Sequence, residues 1–368
     1  MTVATSRNRW HALPVWSVAF PILGIVAVLA PLKSLGMPGT ISAIVVLVGS
    51  VIAAVHHAEV VAHRVGEPFG TLVLAVAVTV IEVSLIVSMM LAGESDATTL
   101  ARDTVFAAIM IILNGIIGVC LLAGGLRHHE QRFTLRGMSA ALCVLAAMGV
   151  LSLVLPNHVT SAPGAAYAPS QLLFVAFVSL ILYGTFVMVQ TVRHRDYFLP
   201  SDEIPTVGVD THAEPPDAIT TGIAFGALLV ALVSVVFLAK ALASTVESAV
   251  LAAGLPLSVV GIVIAGLVLA PESLAAVRAA RRDRIQTSLN LALGSALASI
   301  GLTIPTVSVV SLWLGIPLSL GIDAKSLTLL ILSLFVTTIT LGTGRTTNLH
   351  GVVHLVIFAA NLFVTVVP

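Results

Sequence analysis

The stretch EVVAHRVGEPFGTLVLAVAVTVIE, residues 59–82, recurs in altered form as ESAVLAAGLPLSVVGIVIAGLVLAPE, residues 247–272. Both read Glu, six residues, Gly, one residue, Pro, an apolar span and a closing Glu. Glu59, Gly66, Pro68 and Glu82 thus match Glu247, Gly254, Pro256 and Glu272, with two extra residues in the second span. The next segments correspond as well: ARDTVFAAIMIILNGIIG (101–118) follows Glu82 much as RIQTSLNLALGSALASIG (284–301) follows Glu272. A repeat of this size predicts a chain made of two copies of one structural unit.

What surrounds the repeat is apolar. The 368 residues are 58% hydrophobic and 9% charged, against about 25% charged in a soluble domain. So few charges cannot coat a water-facing surface, and the chain belongs in a lipid bilayer. The formal net charge is zero, which leaves no electrostatic footprint for a nucleic-acid partner. Cys120 and Cys143 lie in apolar runs and read as small core residues, not as a disulfide or metal pair. The first apolar run has no small-residue cleavage site after it and reads as an uncleaved span.

Windows of about 20 apolar residues predict about eleven transmembrane helices. The stretch after Pro305 either extends the ninth or re-enters. Basic residues set the orientation. With the N-terminus in the cytoplasm, thirteen of the seventeen Lys and Arg residues fall on the cytoplasmic side, and Lys33, Arg102, Lys240 and Lys325 fall on the other. The C-terminus then faces out. Glu82 sits on the third span and Glu272 on the eighth, an odd shift, so the two copies are inverted. The expected fold is an all-α polytopic membrane protein. Residues 1–39 hold the N-terminus and one extra helix, and 40–190 a first repeat of five helices. An acidic, Pro-rich cytoplasmic loop follows over 191–218, and a second five-helix repeat over 219–368. Inverted repeats with a polar site at their interface are a signature of secondary transporters.

Glu82 and Glu272 are the two acids that fall in mid-span. An ionised carboxylate in hydrocarbon is expensive, so such groups line a pathway or are paired. No Lys or Arg falls at mid-membrane to pair with either, which leaves a bound cation or a proton. Two neighbouring carboxylates hold two protons or one divalent cation at equal charge. That competition is a physical basis for exchanging one for the other; the bland alternative is a protonated Glu hydrogen-bonded within the bundle. Pro271 frees a helix carbonyl just before Glu272, and carbonyl oxygens suit hard cations, although an ordinary kink gives the same sequence. Asn114, Ser295 and Ser299 add candidate oxygens, and Gly294 predicts close helix packing beside them. Lys240 either pairs with Glu247 or snorkels to the interface.

The run HHAEVVAHRVGEP (56–68) places His56, Glu59 and His63 at helical spacings of three and four, like a metal site. The second copy argues otherwise. Aligned on glutamate, His56, His57 and His63 meet Ser244, Thr245 and Leu251. Glu59, Gly66 and Pro68 therefore belong to the repeated design: a helix end, a break and entry to the next helix. The histidines are additions to one copy, either a proton-responsive cluster at the cytoplasmic mouth or interfacial residues. His350 and His354 read as interfacial packing residues near the start of the last span.

These words resemble the calcium/cation antiporter superfamily, in its cation/proton exchanger branch. The resemblance is nearest to the bacterial sodium–potassium/calcium–proton antiporters. It is carried by HAEVVAHRVGEP, IEVSLI, ILNGIIGVCLLAGGLR, FLAKALAS, LAPESLAAVRAA, LNLALGSALASIGLTIP and LGTGRTTNLHG, and spans nearly the whole chain. It implies two inverted five-helix repeats plus one N-terminal helix, each repeat giving one glutamate, here Glu82 and Glu272, to a mid-membrane site. It implies a multi-pass protein of the bacterial inner membrane, surrounded by lipid, with no resident cofactor and with Ca2+, Na+ or K+ and H+ as transported ions. The family's Gly-Asn before these glutamates is replaced here by the apolar words TVIE and LAPE, and only the second copy keeps a Gly-Ser pair, Gly294-Ser295. Fewer side-chain oxygens fit a broader cation range than calcium alone. A passive cation channel needs no inverted repeat. A membrane-embedded metalloenzyme would call for HExxH, GxSxG or a recurring Asp pair, none of which the sequence contains, and no GxxxxGK[ST] is present for ATP. The expectation is a secondary antiporter, not an enzyme, whose oligomeric state the sequence does not fix.

Overall fold

The computed structural model describes residues 13–29, 36–66, 69–91, 98–198 and 216–367. Pro68 of the repeat and residues 199–215 of the acidic loop lie outside them. The described residues form helices α1 (Val15–Leu29), α2 (Gly36–Val65), α3 (Phe69–Leu91), α4 (Leu100–His128), α5 (Leu135–His158), α6 (Pro169–Arg193) and α7 (Ala218–Ala252). They continue with α8 (Ser258–Arg281), α9 (Ile285–Leu314), α10 (Ala324–Leu341) and α11 (Asn348–Val366). The chain is thus helical in the order expected. Nine helices among the described residues are long and apolar enough to cross a membrane, and Val15–Leu29 and Ala75–Ser88 are shorter apolar helices.

Large apolar side chains such as Phe174, Phe177, Phe335 and Phe363 point outward, while Ser288, Ser308, Ser333 and Thr337 are fully enclosed. That distribution suits hydrocarbon: the outer face needs no polar groups, and polar side chains turn inward. Helix α9 runs through Pro305 to Leu314, so the stretch after Pro305 extends the ninth helix. A π-turn at Ser299–Thr303 lies just ahead of Pro305, whose ring nitrogen has no proton to give the carbonyl of Gly301. A second π-turn, Ile111–Ile116, interrupts α4.

The chain forms two compact units. One draws on residues 1–94 and 206–249, the other on 95–205 and 250–368. In the first unit α1 packs on α2, and α2 on α3. Pro21 lies inside α1 and deprives the carbonyl of Ser17 of its helix donor. His57 of α2 supplies the missing bond, with Nε2 2.9 Å from that oxygen. Ser50 bonds Phe20 O at 3.2 Å and shares a 3.3 Å contact with Ser234 of α7. A Cβ on Gly24 would run into the Ser234 hydroxyl, and one on Gly49 into the Phe20 ring. Backbone contact at these glycines is what lets short hydroxyl side chains reach across.

In the second unit α4 packs on α11 and α8, again through glycines. A Cβ on Gly261 would sit 2.9 Å from the Asp103 carbonyl carbon, and one on Gly351 2.5 Å from Leu122 N. Gly294, expected to serve such a contact, has open space beside it. An antiparallel ribbon joins β1 (Glu130–Arg132) to β2 (Arg345–Thr347), an addition to the all-helical expectation. Three-residue strands are too short to show an alternating pattern. Gln131 on the ribbon donates to Ala280 O at 3.1 Å and Asp283 Oδ1 at 2.8 Å, which ties the ribbon to the α8–α9 turn.

Gly66 and Gly254, matched in the sequence repeat, have φ of 74° and 70°. Each ends a helix with its amide bonded back to it, Gly66 to Ala62 O and Gly254 to Leu251 O, both at 2.9 Å. Only glycine adopts this left-handed backbone without steric penalty. The glycine of the Gly-x-Pro word is therefore a helix stop in both copies, and in the second copy Pro256 lies two residues ahead of α8.

Candidate functional site

Glu272 lies in the second unit, on α8, and is 8% exposed. Ser295 of α9 donates its hydroxyl to Glu272 Oε2 at 2.6 Å, so two residues singled out from sequence meet directly. Pro271 does not break α8, which continues to Arg281. A buried carboxylate beside a half-buried hydroxyl can hold a proton or donate oxygens to a hard cation.

Asn114 lies on the π-turn of α4, which packs against α8 and α9, and is completely buried. Its Nδ2 donates to Ser333 Oγ of α10 at 2.8 Å. Its Oδ1 is buried with no hydrogen-bond partner among the described residues, which leaves one amide oxygen available to an ion. Ser299 is buried, at 4% exposure, in the π-turn of α9. The second unit thus holds four of the five expected cation-binding residues.

Sequence reading missed Ser333. It starts a buried polar stripe on α10, Ser333, Thr337 and Thr340, at spacings of four and three. Those spacings were the available signal, since a stripe of hydroxyls on one face of an apolar helix points inward. His354, expected at the interface, is also fully enclosed: its Nε2 lies 3.2 Å from Thr340 Oγ1. His350 instead caps α11, its Nδ1 accepting from Thr347 N at 3.2 Å. Cys120 is buried as expected but Cys143 is exposed, because it falls on the outer face of α5.

Glu82 lies in the first unit, on α3, at 2% exposure, among Ile81, Leu85 and Ile86. It faces into protein, not lipid. Of the first unit's histidines, His56 and His57 meet edge-on with ring centroids 5.7 Å apart. His57 is enclosed and bonded to Ser17, His56 packs its ring against Trp16 at 5.3 Å, and His63 is exposed. A carbonyl only accepts, so Nε2 of His57 carries the proton. Glu59 and Lys240 are exposed, Glu247 is half-buried, and no ion pair joins Lys240 to Glu247 among the described residues. Among those residues no cluster of three His, Cys, Asp or Glu side chains could hold a metal ion, which removes the zinc reading of 56–63.

The sodium/calcium exchanger protein family matches residues 35–192 and 223–367. The chain is 50% identical over 360 residues to the ionic transporter candidate y4hA of Sinorhizobium fredii, covering 97% of each. It is 34% identical over 350 residues to the sodium-potassium/proton antiporter ChaA of Escherichia coli, covering 94% of each. The H+/Ca2+ exchanger CAX superposes with a TM-score of 0.70 at 14% identity, over 98% of this chain and 89% of the other. Native YfkE gives 0.69 at 16% identity, over 95% and 100%. At these identities the two solved structures speak to the fold.

Proposed function

The chain belongs to the sodium/calcium exchanger protein family, and from that membership we propose that it exports cytoplasmic cations in exchange for external protons. The family consists of secondary transporters, not enzymes, and the chain is a multi-pass protein of the bacterial inner membrane. Ca2+ and Na+ or K+ are the proposed cargo. Glu82 and Glu272 bind cation or protons at mid-membrane, with Asn114, Ser295 and Ser299 as supporting oxygens, and alternating access carries the load across. The repeats are residues 40–190 and 219–368, inverted, after an extra helix within 1–39 and around the loop 191–218. The positive φ shared by Gly66 and Gly254 supports that division. Glu59, Glu247, Lys240, Pro271 and the histidines His56, His57 and His63 are accessory. The N-terminus is cytoplasmic and the C-terminus periplasmic.

The observation that carries the reading is the enclosed Glu272 carboxylate with Ser295 bonded to it. An acid in a membrane protein interior is a functional group by default. Everted vesicles containing the full chain test it. An imposed pH gradient should drive calcium, sodium or potassium movement, and adding the cation should move protons. Glu82→Gln and Glu272→Gln should each abolish coupled flux. Wild-type vesicles that couple neither direction sink the exchange reading, and normal exchange in either variant removes that residue from the site.

A further inference from the structure

Within the second unit one end carries the ribbon and the Arg-rich turns. At the other end the starts of α4, α8 and α10 and the end of α11 surround an open cleft of about 200 Å³. A water takes up about 30 Å³, so an ion with several waters fits. The charges around the cleft are unequal in availability. Asp103 is engaged: Oδ1 accepts from Arg102 Nε at 2.8 Å and Oδ2 from Thr99 Oγ1 at 3.3 Å. Arg102 is engaged too, since its Nη1 donates to Gly321 O at 3.0 Å. Asp323 is looser. One oxygen caps α10 through Ser326 N at 3.1 Å, and the other lies 3.9 Å from Lys325 Nζ, with both side chains about half exposed.

At the cleft wall stands Asn361, only 2% exposed. Its Oδ1 is buried and has no hydrogen-bond partner among the described residues. Its backbone is held in place by Thr365, whose hydroxyl donates to Asn361 O at 2.8 Å. An amide oxygen left unmet in the interior is rare and destabilising, and a cation or its water meets that need. Ser258 and Ser326 add hydroxyl oxygens to the same lining. An anion would face two carboxylates with Arg102 already bonded elsewhere, so the lining favours a positive charge.

We propose that this cleft is a second cation site, holding a partly hydrated hard cation between Asp323, Asn361 and the hydroxyls of Ser258 and Ser326. It is separate from Glu272, which lies ten residues beyond Ile262 on α8, about 15 Å along the helix. Lys325 is the resident competitor: an arriving cation displaces its ammonium from Asp323. The choice of ion and the supply of that ion from the transport site rest on the exchange reading; the cleft's binding residues do not. By the distribution of basic residues the cleft opens outward, where it holds a cation released from the transport site.

Calorimetric titration of the full-length protein in detergent with calcium alone tests this. Glu82→Gln/Glu272→Gln should retain one class of calcium site, and adding Asp323→Asn or Asn361→Leu should remove it. Asn361→Leu replaces an unmet polar atom with an apolar one, so the fold does not suffer. Lys325→Gln should tighten the retained site about two- to fivefold, the range of an exposed ion pair, and misfolding cannot mimic that gain. No residual binding in the double variant, binding that survives Asp323→Asn and Asn361→Leu, or no gain with Lys325→Gln overturns the cleft site. Binding unchanged by Glu82→Gln/Glu272→Gln overturns the exchange site instead, because the Asp323 and Asn361 arms report on the cleft alone.

Discussion

The Ser295 hydroxyl serves Glu272 as its donor, and a hydrogen bond to a charged group contributes about 1.5–3 kcal/mol. Ser295→Ala should therefore raise the half-saturating cation concentration about tenfold or more in vesicle exchange, and Ser295→Thr should restore most of it. An unchanged value would detach Ser295 from the site. His57 has a different task. Removing its N–H leaves the Ser17 carbonyl unmet, at about 1–3 kcal/mol. His57→Phe should lower the melting temperature in detergent, while His63→Gln, exposed, should stay within about 0.5 kcal/mol of wild type. Glu272 and Ser295 were legible because the repeat and the Gly-Ser pair marked them. Ser333 was legible only in part: its spacing with Thr337 and Thr340 turns it inward, but its bond to Asn114 spans 219 positions, and no local pattern ties residues so far apart. The bond of His57 was hidden in the same way, although Pro21, four residues past Ser17, announces a carbonyl in want of a donor.

At the scale of elements, a matched pair of glycines tests the helix stops. Gly254 has a left-handed backbone, which an alanine adopts at about 1–2 kcal/mol. Gly294 is helical with open space beside it. Gly254→Ala should lower thermal stability measurably and Gly294→Ala should not; equal losses would contradict the helix-stop account. The helices themselves were readable from apolar run length, because a bilayer demands about 20 such residues. The ribbon was not readable. Its strands are three residues each, and their pairing depends on α4 and α11 lying side by side. Gln131→Ala should loosen the α8–α9 turn, seen as faster amide exchange around residues 280–286.

At the scale of the whole chain, the skew of basic residues gives an orientation. Reporter fusions should place the N-terminus and the loop 191–218 in the cytoplasm and the C-terminus in the periplasm; the opposite result would reverse the vesicle experiment as well. Sequence repeats and compact units divide the chain differently. The first unit takes α2 and α3 from one repeat and α7 from the other, a grouping that depends on contacts and leaves no trace in composition. The α1 contacts bear on how the protein is made. Gly24 of α1 lies against the Ser234 hydroxyl of α7, so the ribosome delivers α1 to the bilayer long before the helix that finishes enclosing it. During that interval the Gly24 side of α1 faces lipid or a borrowed companion. The first segment inserted is thus among the last to be sealed, and a pause in translation between α2 and α7 is the moment when assembly is most exposed to error.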